Sequence, residues 1–148
     1  MTGYLVDTNA ISGGLPARSA GEASRAIAWM VRHSDSLFLS VITIAEIEAG
    51  IAQARREGAD RKTGRLADWL DTVRHLYASR IMVFDLAIAC LAGTVSDRAR
   101  GLVHAPGFVD LVIAATAQMN GMTILTRNVR HFARLAVAAR DPFVGLPT

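Results

Sequence analysis

Three carboxylates and one amide in this chain have the residue types to bind a divalent cation together. They are Asp7, Glu46, Asp110 and Asn128. Mg²⁺ prefers oxygen ligands, usually one or two carboxylates together with waters and the phosphate oxygens of a substrate. An ion bound in this way lowers the pKa of a water ligand and neutralises charge on a phosphodiester. The pattern therefore suggests phosphodiester chemistry if the fold brings the four side chains together.

Each of these residues also has an ordinary structural explanation. Asp7 follows an apolar run, where an Asx-turn is common. Thr43–Glu46 matches a capping box, in which Glu46 would bond a backbone N–H at the start of its own helix. Asp110 can complement a helix dipole, and Asn128 can cap the turn that follows it. Taken one at a time these structural roles are favoured, so residue types and spacing alone leave both interpretations open.

The elements that would position these residues alternate between short apolar runs and helix-like segments. This alternation predicts a parallel sheet with helices on both faces, and strands buried on both faces are continuous apolar runs, as these are. The predicted strands are Tyr4–Val6, Leu37–Val41, Ile81–Phe84, Met122–Leu125 and Ala136–Ala138. The predicted helices are Ala10–Gly13 (broken by Gly13–Pro16), Glu22–His33, Thr43–Arg56, Asp60–Tyr77, Leu86–Arg100, Phe108–Met119 and a turn that ends at Phe132.

The predicted fold is α/β, with four to five short parallel strands flanked by helices. With 148 residues and no linker rich in proline or glycine, we expect a single domain over residues 1–148. Sites in open α/β sheets form at the carboxyl ends of the strands. A parallel sheet would bring the three acids and Asn128 to that one edge.

Composition narrows the class of protein. The net charge is +3, and Lys62 is the single lysine among 16 basic residues. The planar guanidinium suits phosphate, which favours an acidic or nucleic-acid partner, but a GC-rich genome would favour arginine equally. Cys90 is the single cysteine, so no internal disulfide forms, which fits the reducing cytoplasm. The N-terminus lacks a signal-peptide pattern, and the apolar runs are too short to span a membrane.

For two helical segments, the sequence does not decide whether the apolar face packs in the core or against a second subunit. Ile88–Gly93 is rich in small residues, and such helices pack closely either within a fold or across a dimer. The apolar set Leu66, Trp69, Leu70 and Val73 can likewise face the core or a second subunit. Aromatic residues form 6% of the chain, and we expect most of them in the core, so no base-stacking patch is predicted.

Four segments of the chain resemble, in order, the motifs of PIN domains. The first is similar to the family's opening strand, the second contains its glutamate metal ligand, and the third has its acid at a helix start. The segments are Tyr4–Asn9, Val41–Gly50, Asp110–Ala117 and Leu125–Phe132. The resemblance runs from Tyr4 to about Phe132, and it is closest to the VapC-like toxins of bacterial type II toxin–antitoxin pairs, including FitB-type proteins.

The resemblance implies a small ribonuclease, usually a homodimer, that needs Mg²⁺ or Mn²⁺. Asp7, Glu46 and Asp110 carry over as the metal ligands and catalytic residues. The resemblance also implies a co-encoded antitoxin protein that blocks the site. The complex of the two proteins is expected to bind operator DNA through the antitoxin.

The chain departs from the family in the fourth motif, where a further acid is common. That acid would stand at Asn128 or three residues on, at His131. The Asn128 amide can still orient a water molecule. His131 can contact phosphate, bind Mn²⁺ better than Mg²⁺, or simply be an exposed helix residue. The number of metal ions, one or two, is therefore left open.

The resulting hypothesis is a metal-dependent endoribonuclease. Thr8, Asn9 and Thr126 would orient the ligands, while Arg127 and Arg130 would hold flanking phosphates. We expect cleavage in single-stranded segments or loops, because the major groove of A-form RNA is too deep and narrow to be read.

Two other classes of function compete with this hypothesis. The first is a PIN-like protein with weak or lost catalysis that binds a partner and, through it, DNA as a repressor. The missing fourth acid favours this alternative, and the three intact acids oppose it. The second is a nucleotide-binding domain, which is disfavoured because no glycine-rich phosphate loop follows the first strand.

Overall fold

The computed structural model describes residues 3–12, 25, 28–103 and 105–145. Within these residues, five parallel strands form one sheet in the order β3-β2-β1-β4-β5. The strands are β1 Tyr4–Val6, β2 Leu37–Ser40, β3 Ile81–Met82, β4 Thr123–Leu125 and β5 Ala139–Arg140. The helices are α1 Thr8–Ser12, α2 Val41–Arg56, α3 Asp60–Leu76, α4 Leu86–Arg98, α5 Phe108–Asn120 and α6 Val129–Ala133, with 3₁₀ turns at Ser34–Ser36 and Ala99–Gly101. Residues 28–32 are also helical.

Strand β1 lies at the centre of the sheet. Tyr4 is in register with Leu37 of β2 on one side and with Thr123 of β4 on the other. The strand order reverses at this point, because β2 and β3 extend the sheet in one direction and β4 and β5 in the other. The carboxyl ends of β1 and β4 therefore flank the crevice in which open α/β sheets bind their ligands.

Helices cover both faces of the sheet, which explains why neighbouring residues of β1 are equally buried. Leu5 packs into a cluster with α4 and α5. Val6 packs on the opposite face with α3 and Trp29. Both side chains are fully buried. Continuous apolar strands of this kind are typical of parallel sheets, and the α/β prediction is confirmed.

Two predicted strands have different bounds in the structure: the third is shorter than predicted and the fifth lies further along the chain. Strand β3 stops at Met82 because its register partner Ser40 is the last residue of β2, where α2 begins. Val83 and Phe84, predicted as strand residues, are exposed instead. The fifth strand was predicted over Ala136–Ala138 but starts at Ala139. Ala136 has a φ of +56°, a turn conformation that cannot continue a strand.

The helices follow the sequence pattern within about two residues. Helix α1 starts earlier than predicted, at Thr8, because the Asp7 carbonyl accepts hydrogen bonds from the Ala10 and Ile11 amides. The predicted break at Gly13–Pro16 and most of the predicted helix Glu22–His33 lie outside the described residues. No helix in the described ranges is long and apolar enough to cross a membrane.

The two helical segments whose packing the sequence left open, in α3 and α4, both contribute to the core. Leu70 and Val73 of α3 are buried, with Leu66 and Trp69 packed beside them. In α4, Ile88 and Ala92 pack against Ala115 of α5. The small side chains of α4 therefore serve close packing within the fold on one face of the helix.

A glycine ends the helix that carries Asp110. Gly121 has a φ of +62° as the C-cap of α5, so a side chain here is strained. We expect Gly121→Ala to lower the free energy of unfolding by about 1 kcal/mol. Gly64, on the exposed side of α3 with open space around it, is the matched control. Gly64→Ala should raise stability by about 0.5–1 kcal/mol. Urea unfolding of the two variants checks the opposite signs, and equal effects would contradict this explanation.

Candidate active site

Polar side chains from four chain segments line an open cavity at the carboxyl edge of the sheet, and its volume is about 310 Å³. The lining residues are Asp7, Thr8, Asn9, Glu46, Asp110 and Asn128. All four residues singled out from the sequence are thus brought to one cavity. Asp7 and Asn128 enter from the ends of β1 and β4, Glu46 from the second turn of α2, and Asp110 from the first turn of α5.

Asp7 is the most buried acid of the cavity, with 6% of its surface exposed. Its Oδ1 accepts a hydrogen bond from the Thr8 amide at 2.8 Å, and its Oδ2 accepts one from the Thr126 hydroxyl at 2.8 Å. Burial raises the pKa of Asp7, the two hydrogen bonds lower it, and the nearby Asp110 and Glu46 raise it further. The net direction is upward, so a negative charge on Asp7 is costly in this cavity.

Thr126 connects the ends of β1 and β4 behind Asp7. Its side chain is fully buried. Its hydroxyl also lies 3.3 Å from Asn9 Oδ1 and accepts a hydrogen bond of 3.0 Å from the backbone N–H of Asn128. Asn9 Oδ1 accepts a further bond, of 3.0 Å, from the Arg127 amide. These contacts fix the backbone of residues 126–128 against the loop that follows β1.

Glu46 does not form the capping box that its sequence allows. Helix α2 begins two residues before Thr43, and Ser40 is its N-cap, with Ser40 Oγ accepting a hydrogen bond from the Ile42 amide. Glu46 is therefore one turn too far along to cap the helix. Its carboxylate faces the cavity and accepts a hydrogen bond from the Thr8 hydroxyl.

Asp110 lies in the first turn of α5, whose N-cap Gly107 makes no side-chain bond. Its Oδ2 is 3.4 Å from Nδ1 of His131 on α6. Asn128 occupies the N-cap position of α6, but its side chain does not cap the helix and lines the cavity instead. The two positions where the family's further acid is common therefore both lie beside the acidic cavity.

The two arginines expected to contact phosphate have different surroundings. The Arg127 guanidinium stacks on Phe143, with 4.0 Å between Cζ and the ring centroid, and its buried Nε has no hydrogen-bond partner. Arg130 is exposed on α6. Neither lines the cavity. Sequence reasoning missed Phe143, since a contact between residues so far apart along the chain leaves no local signal.

The acids share a cavity without converging on one point. In the part of the chain that the structure describes, no three histidine, cysteine or acidic side chains are grouped closely enough to hold a metal ion. Asp7 is bound to Thr126 and Thr8, and Glu46 is bound to Thr8. The side chains are thus held by polar neighbours rather than by one another.

Aromatic side chains also depart from the sequence prediction. Trp29, Tyr77 and Phe132 are buried, as expected. Phe84 and Phe108, however, are exposed and in edge-to-face contact, with ring centroids 6.0 Å apart. An apolar pair on the surface was not predicted, because the sequence does not reveal that β3 ends before Phe84.

Comparison with known proteins agrees with this geometry. The family model of the PIN domain matches residues 4–138. The chain belongs to the PIN-domain family. This PIN domain is 32% identical to Toxin FitB of Neisseria gonorrhoeae over 145 residues, which covers 94% of the chain and 97% of that protein.

Two solved structures share this PIN fold over nearly their whole length. The crystal structure of FitAcB from Neisseria gonorrhoeae aligns with a TM-score of 0.80 at 29% identity, covering 95% of this chain and 98% of the other. The structure of FitAB bound to an IR36 DNA fragment aligns with a TM-score of 0.76 at 28% identity, covering 95% of each chain. The five-stranded parallel sheet is therefore that of a PIN domain.

Proposed function

We propose that this PIN domain is a Mg²⁺- or Mn²⁺-dependent endoribonuclease and the toxin of a toxin–antitoxin pair. The observation that carries the proposal is the single cavity lined by Asp7, Glu46 and Asp110. Three carboxylates in one cavity repel one another, and the raised pKa of Asp7 includes a contribution from each of the other two. A divalent cation would relieve this repulsion.

The donor set fits a hard cation in its chemistry. It consists of carboxylates and an amide, without cysteine, and such oxygen-rich sets suit Mg²⁺ and Mn²⁺. Since no three of these groups converge in the described residues, Glu46 and Asp110 would have to turn toward Asp7 on binding. Both are partly exposed, which leaves them room to do so. A cation bound here would lower the pKa of a water and neutralise charge on the scissile phosphodiester.

The remaining polar residues have positioning roles in this proposal. Thr126 and Thr8 hold the Asp7 carboxylate through the hydrogen bonds described above. Asn128 would orient a water or a phosphate oxygen through its amide. His131, at 3.4 Å from Asp110, would orient that carboxylate or contact phosphate. The exposed Arg130 and the stacked Arg127 would hold flanking phosphates of a single-stranded RNA.

The proposed partners come from the comparisons and the family resemblance. One of the similar solved structures is FitAB bound to a DNA fragment, and the relative FitB carries the name of a toxin. We propose that this chain likewise pairs with an antitoxin that blocks the cavity, that the complex binds operator DNA through the antitoxin, and that the toxin forms a homodimer. Its site of action would be the cytoplasm, where its RNA substrate lies.

Cleavage of RNA by the purified chain, free of any partner, tests the proposal. A mixed pool of structured RNAs would be incubated with Mg²⁺, Mn²⁺ or EDTA, beside Asp110→Asn. We expect cleavage that requires the metal and falls at least about 100-fold in the variant, since even residues behind metal ligands affect activity 10–100-fold. Asp97→Asn, at an exposed position on α4, is the matched control and should cleave normally.

A catalytically inactive PIN protein is the second candidate, favoured by the absence of an acid at both Asn128 and His131. Calorimetric titration with Mn²⁺ separates the two candidates. Metal binding that is lost in Asp110→Asn supports the enzyme. A folded chain that binds neither metal and cleaves no RNA would contradict the enzyme and leave the partner-binding role.

A further inference from the structure

Helices α2 and α3 form a hairpin whose closed end concentrates positive charge. The segment from Arg55 to Arg65 contains five cations and two acids, and its net charge of +3 equals that of the whole chain. All five cations are exposed. We call them the basic tip, which consists of Arg55, Arg56, Arg61, Lys62 and Arg65.

The basic tip is supported by the two helices of the hairpin. Ile51 of α2 packs with Leu66 and Ala67 of α3 in an apolar cluster that contains residues of these two helices only. Helix α3 reaches the core beside β1 later in its sequence, where Val73 packs in the same cluster as Val6. The closed end of the hairpin is therefore a projection from the sheet, and a ligand can reach its cations without disturbing the core.

The cations of the basic tip have no anionic partner in the ranges that the structure describes, where neither of the two ion pairs involves them. The two acids of the segment have other roles. Glu57 accepts a hydrogen bond of 2.9 Å from Gln53 Nε2, and Asp60 complements the dipole in the first turn of α3. Arg61 and Arg65 lie one turn apart, where like charges repel. A bound anion would relieve this repulsion.

The surroundings of the basic tip select the class of anion. No large apolar side chain is exposed between residues 51 and 65, all of which the structure describes. A protein interface has an apolar centre, and a helix that lies on a membrane buries an apolar face there. The basic tip offers neither of these. Phosphates of a nucleic acid, by contrast, are bound through cations alone. The tip therefore suits a nucleic-acid backbone.

Helix α2 connects the basic tip to the cavity. Glu46 lines the cavity, and Arg56 lies ten residues further along the same helix, about 15 Å away at 1.5 Å per residue. Ala49 and Gln53 lie between them at spacings that place all four residues along one side of α2. Both are exposed, and neither is charged. A polyanion bound at the tip can therefore continue along α2 into the cavity without meeting another acid on that side.

We infer that the basic tip binds phosphates of the RNA substrate outside the cavity, an inference that rests on the substrate proposed above. Helix α2 follows β2 on one side of β1, whereas Arg130 follows β4 on the other side. A single strand that crosses the cavity is held by cations on both sides. Phosphate contacts position a nucleic acid without reading its sequence. The tip thus adds affinity only for RNAs long enough to reach it.

Binding in EDTA separates this surface from catalysis. Fluorescence anisotropy with a labelled single-stranded RNA compares the wild type with a variant that combines Arg56→Gln, Arg61→Gln and Arg65→Gln. We expect the affinity to fall at least about 10-fold. The slope of log affinity against log salt should become shallower by about 2, because each of three lost phosphate contacts removes about 0.7. The variant should fold normally, since all three side chains are exposed.

A second triple variant removes the same charge from other parts of the surface. It combines Arg74→Gln, Arg98→Gln and Arg100→Gln, at exposed positions outside the basic tip. This control should keep an affinity and a salt slope close to those of the wild type. Equal losses in the two triple variants would show a general effect of net charge and overturn the inference. Wild-type binding by the tip variant would also overturn it.

Cleavage with Mn²⁺ distinguishes this inference from the proposed nuclease. In the tip variant, KM for a long RNA should rise at least about 10-fold with kcat unchanged, as expected when uniform binding is lost. Cleavage of an oligonucleotide too short to leave the cavity should not change. A wild type that binds RNA through the tip but cleaves none would contradict the nuclease and keep the surface. Normal cleavage of long RNA by the tip variant would do the reverse.

Lys62 reports the contact in the unaltered chain, because it is the single lysine. Reductive methylation followed by peptide mass spectrometry should modify Lys62 several-fold more slowly when single-stranded RNA is bound. Duplex DNA of the same sequence is tested alongside. Protection by duplex DNA and not by RNA would assign the tip to DNA and overturn the inference. Unchanged modification of Lys62 at saturating RNA would overturn it as well.

Discussion

Asp7→Asn should lower the rate of RNA cleavage at least about 100-fold and at the same time stabilise the metal-free protein. The buried Asp7 carboxylate has a raised pKa, so the folded chain holds this proton more tightly than the unfolded chain does. The stability contributed by the protonated form is therefore lost as pH rises from the ordinary value of 3.8 through the raised native value. At neutral pH the charged carboxylate is a net cost that the neutral amide removes.

The amide also fits the hydrogen bonds around Asp7. Its oxygen can accept from the Thr8 amide, and its N–H can donate to Thr126 Oγ1, whose own hydroxyl proton can turn toward Asn9 Oδ1. The two hydrogen bonds that hold this side chain, to Thr8 and Thr126, are then both retained. Cleavage should nevertheless fall at least about 100-fold, because a neutral amide is a far weaker ligand for a divalent ion than a carboxylate.

Thermal unfolding between pH 3 and pH 8, in EDTA and in Mn²⁺, measures both effects. The melting temperature of Asp7→Asn should exceed that of the wild type in EDTA, by a margin that widens as pH rises through the window above. Mn²⁺ should raise the melting temperature of the wild type only. Asp68→Asn, an exposed acid on α3, is the control and should show neither effect. A variant less stable than the wild type in EDTA at neutral pH would contradict the proposed cost of the buried charge.

Thr126→Val should weaken metal binding by about 10–100-fold, the range found when a group behind a ligand is removed. Valine has nearly the shape of threonine, so little space is opened in the buried site. The change removes the hydrogen bond that Thr126 donates to Asp7 Oδ2. It also removes the hydroxyl oxygen that accepts a hydrogen bond from the backbone N–H of Asn128. The pKa of Asp7 should rise further, because Thr126 lowers it in the wild type. Metal binding should therefore begin at a higher pH.

Thr126→Ser keeps the hydroxyl and should retain most of the metal affinity. Thr116→Val is the matched control for the loss of a buried hydroxyl, since Thr116 bonds only within its own helix, to the Val112 carbonyl at 2.7 Å. Calorimetric titration with Mn²⁺ at several pH values distinguishes the variants. Wild-type affinity with an unchanged pH profile in Thr126→Val would mean that Thr126 does not position Asp7.

The sequence was sufficient to predict that the site forms at the carboxyl edge of the sheet, because sites in open parallel sheets generally form there. Apolar strands with polar residues at their ends predict a parallel sheet, and the ends of parallel strands meet at one edge. Asp7 and Asn128 were placed correctly on that basis alone. The start of α2 was missed by two residues, and with it the distinction between a cap and a cavity-lining role for Glu46.

Contacts between distant segments could not be predicted in this way. Arg127 was expected to contact phosphate, and the stacking of its guanidinium on Phe143 was not predicted. Phe84 was expected in a strand, yet β2 ends at Ser40, the register partner of Met82, so Val83 and Phe84 have no strand beside them. In both cases the deciding residue lies far away along the chain and leaves no periodicity or local spacing that a sequence pattern would reveal. The exposed pair of Phe84 and Phe108 was missed for this reason.

The bond between Thr126 and Asp7 spans 119 residues of sequence, which has a consequence for how the protein is made. Strand β1 leaves the ribosome first, but its neighbour β4 is synthesised more than a hundred residues later. Until then the Asp7 amide has no Leu125 carbonyl to bond, and neither Thr126 nor Asn128 exists to complete the site. Long-range pairing of this kind forms late. The cavity is therefore assembled only after residue 128 has been synthesised, and the proposed ribonuclease would have no complete site with which to cleave its own message during translation.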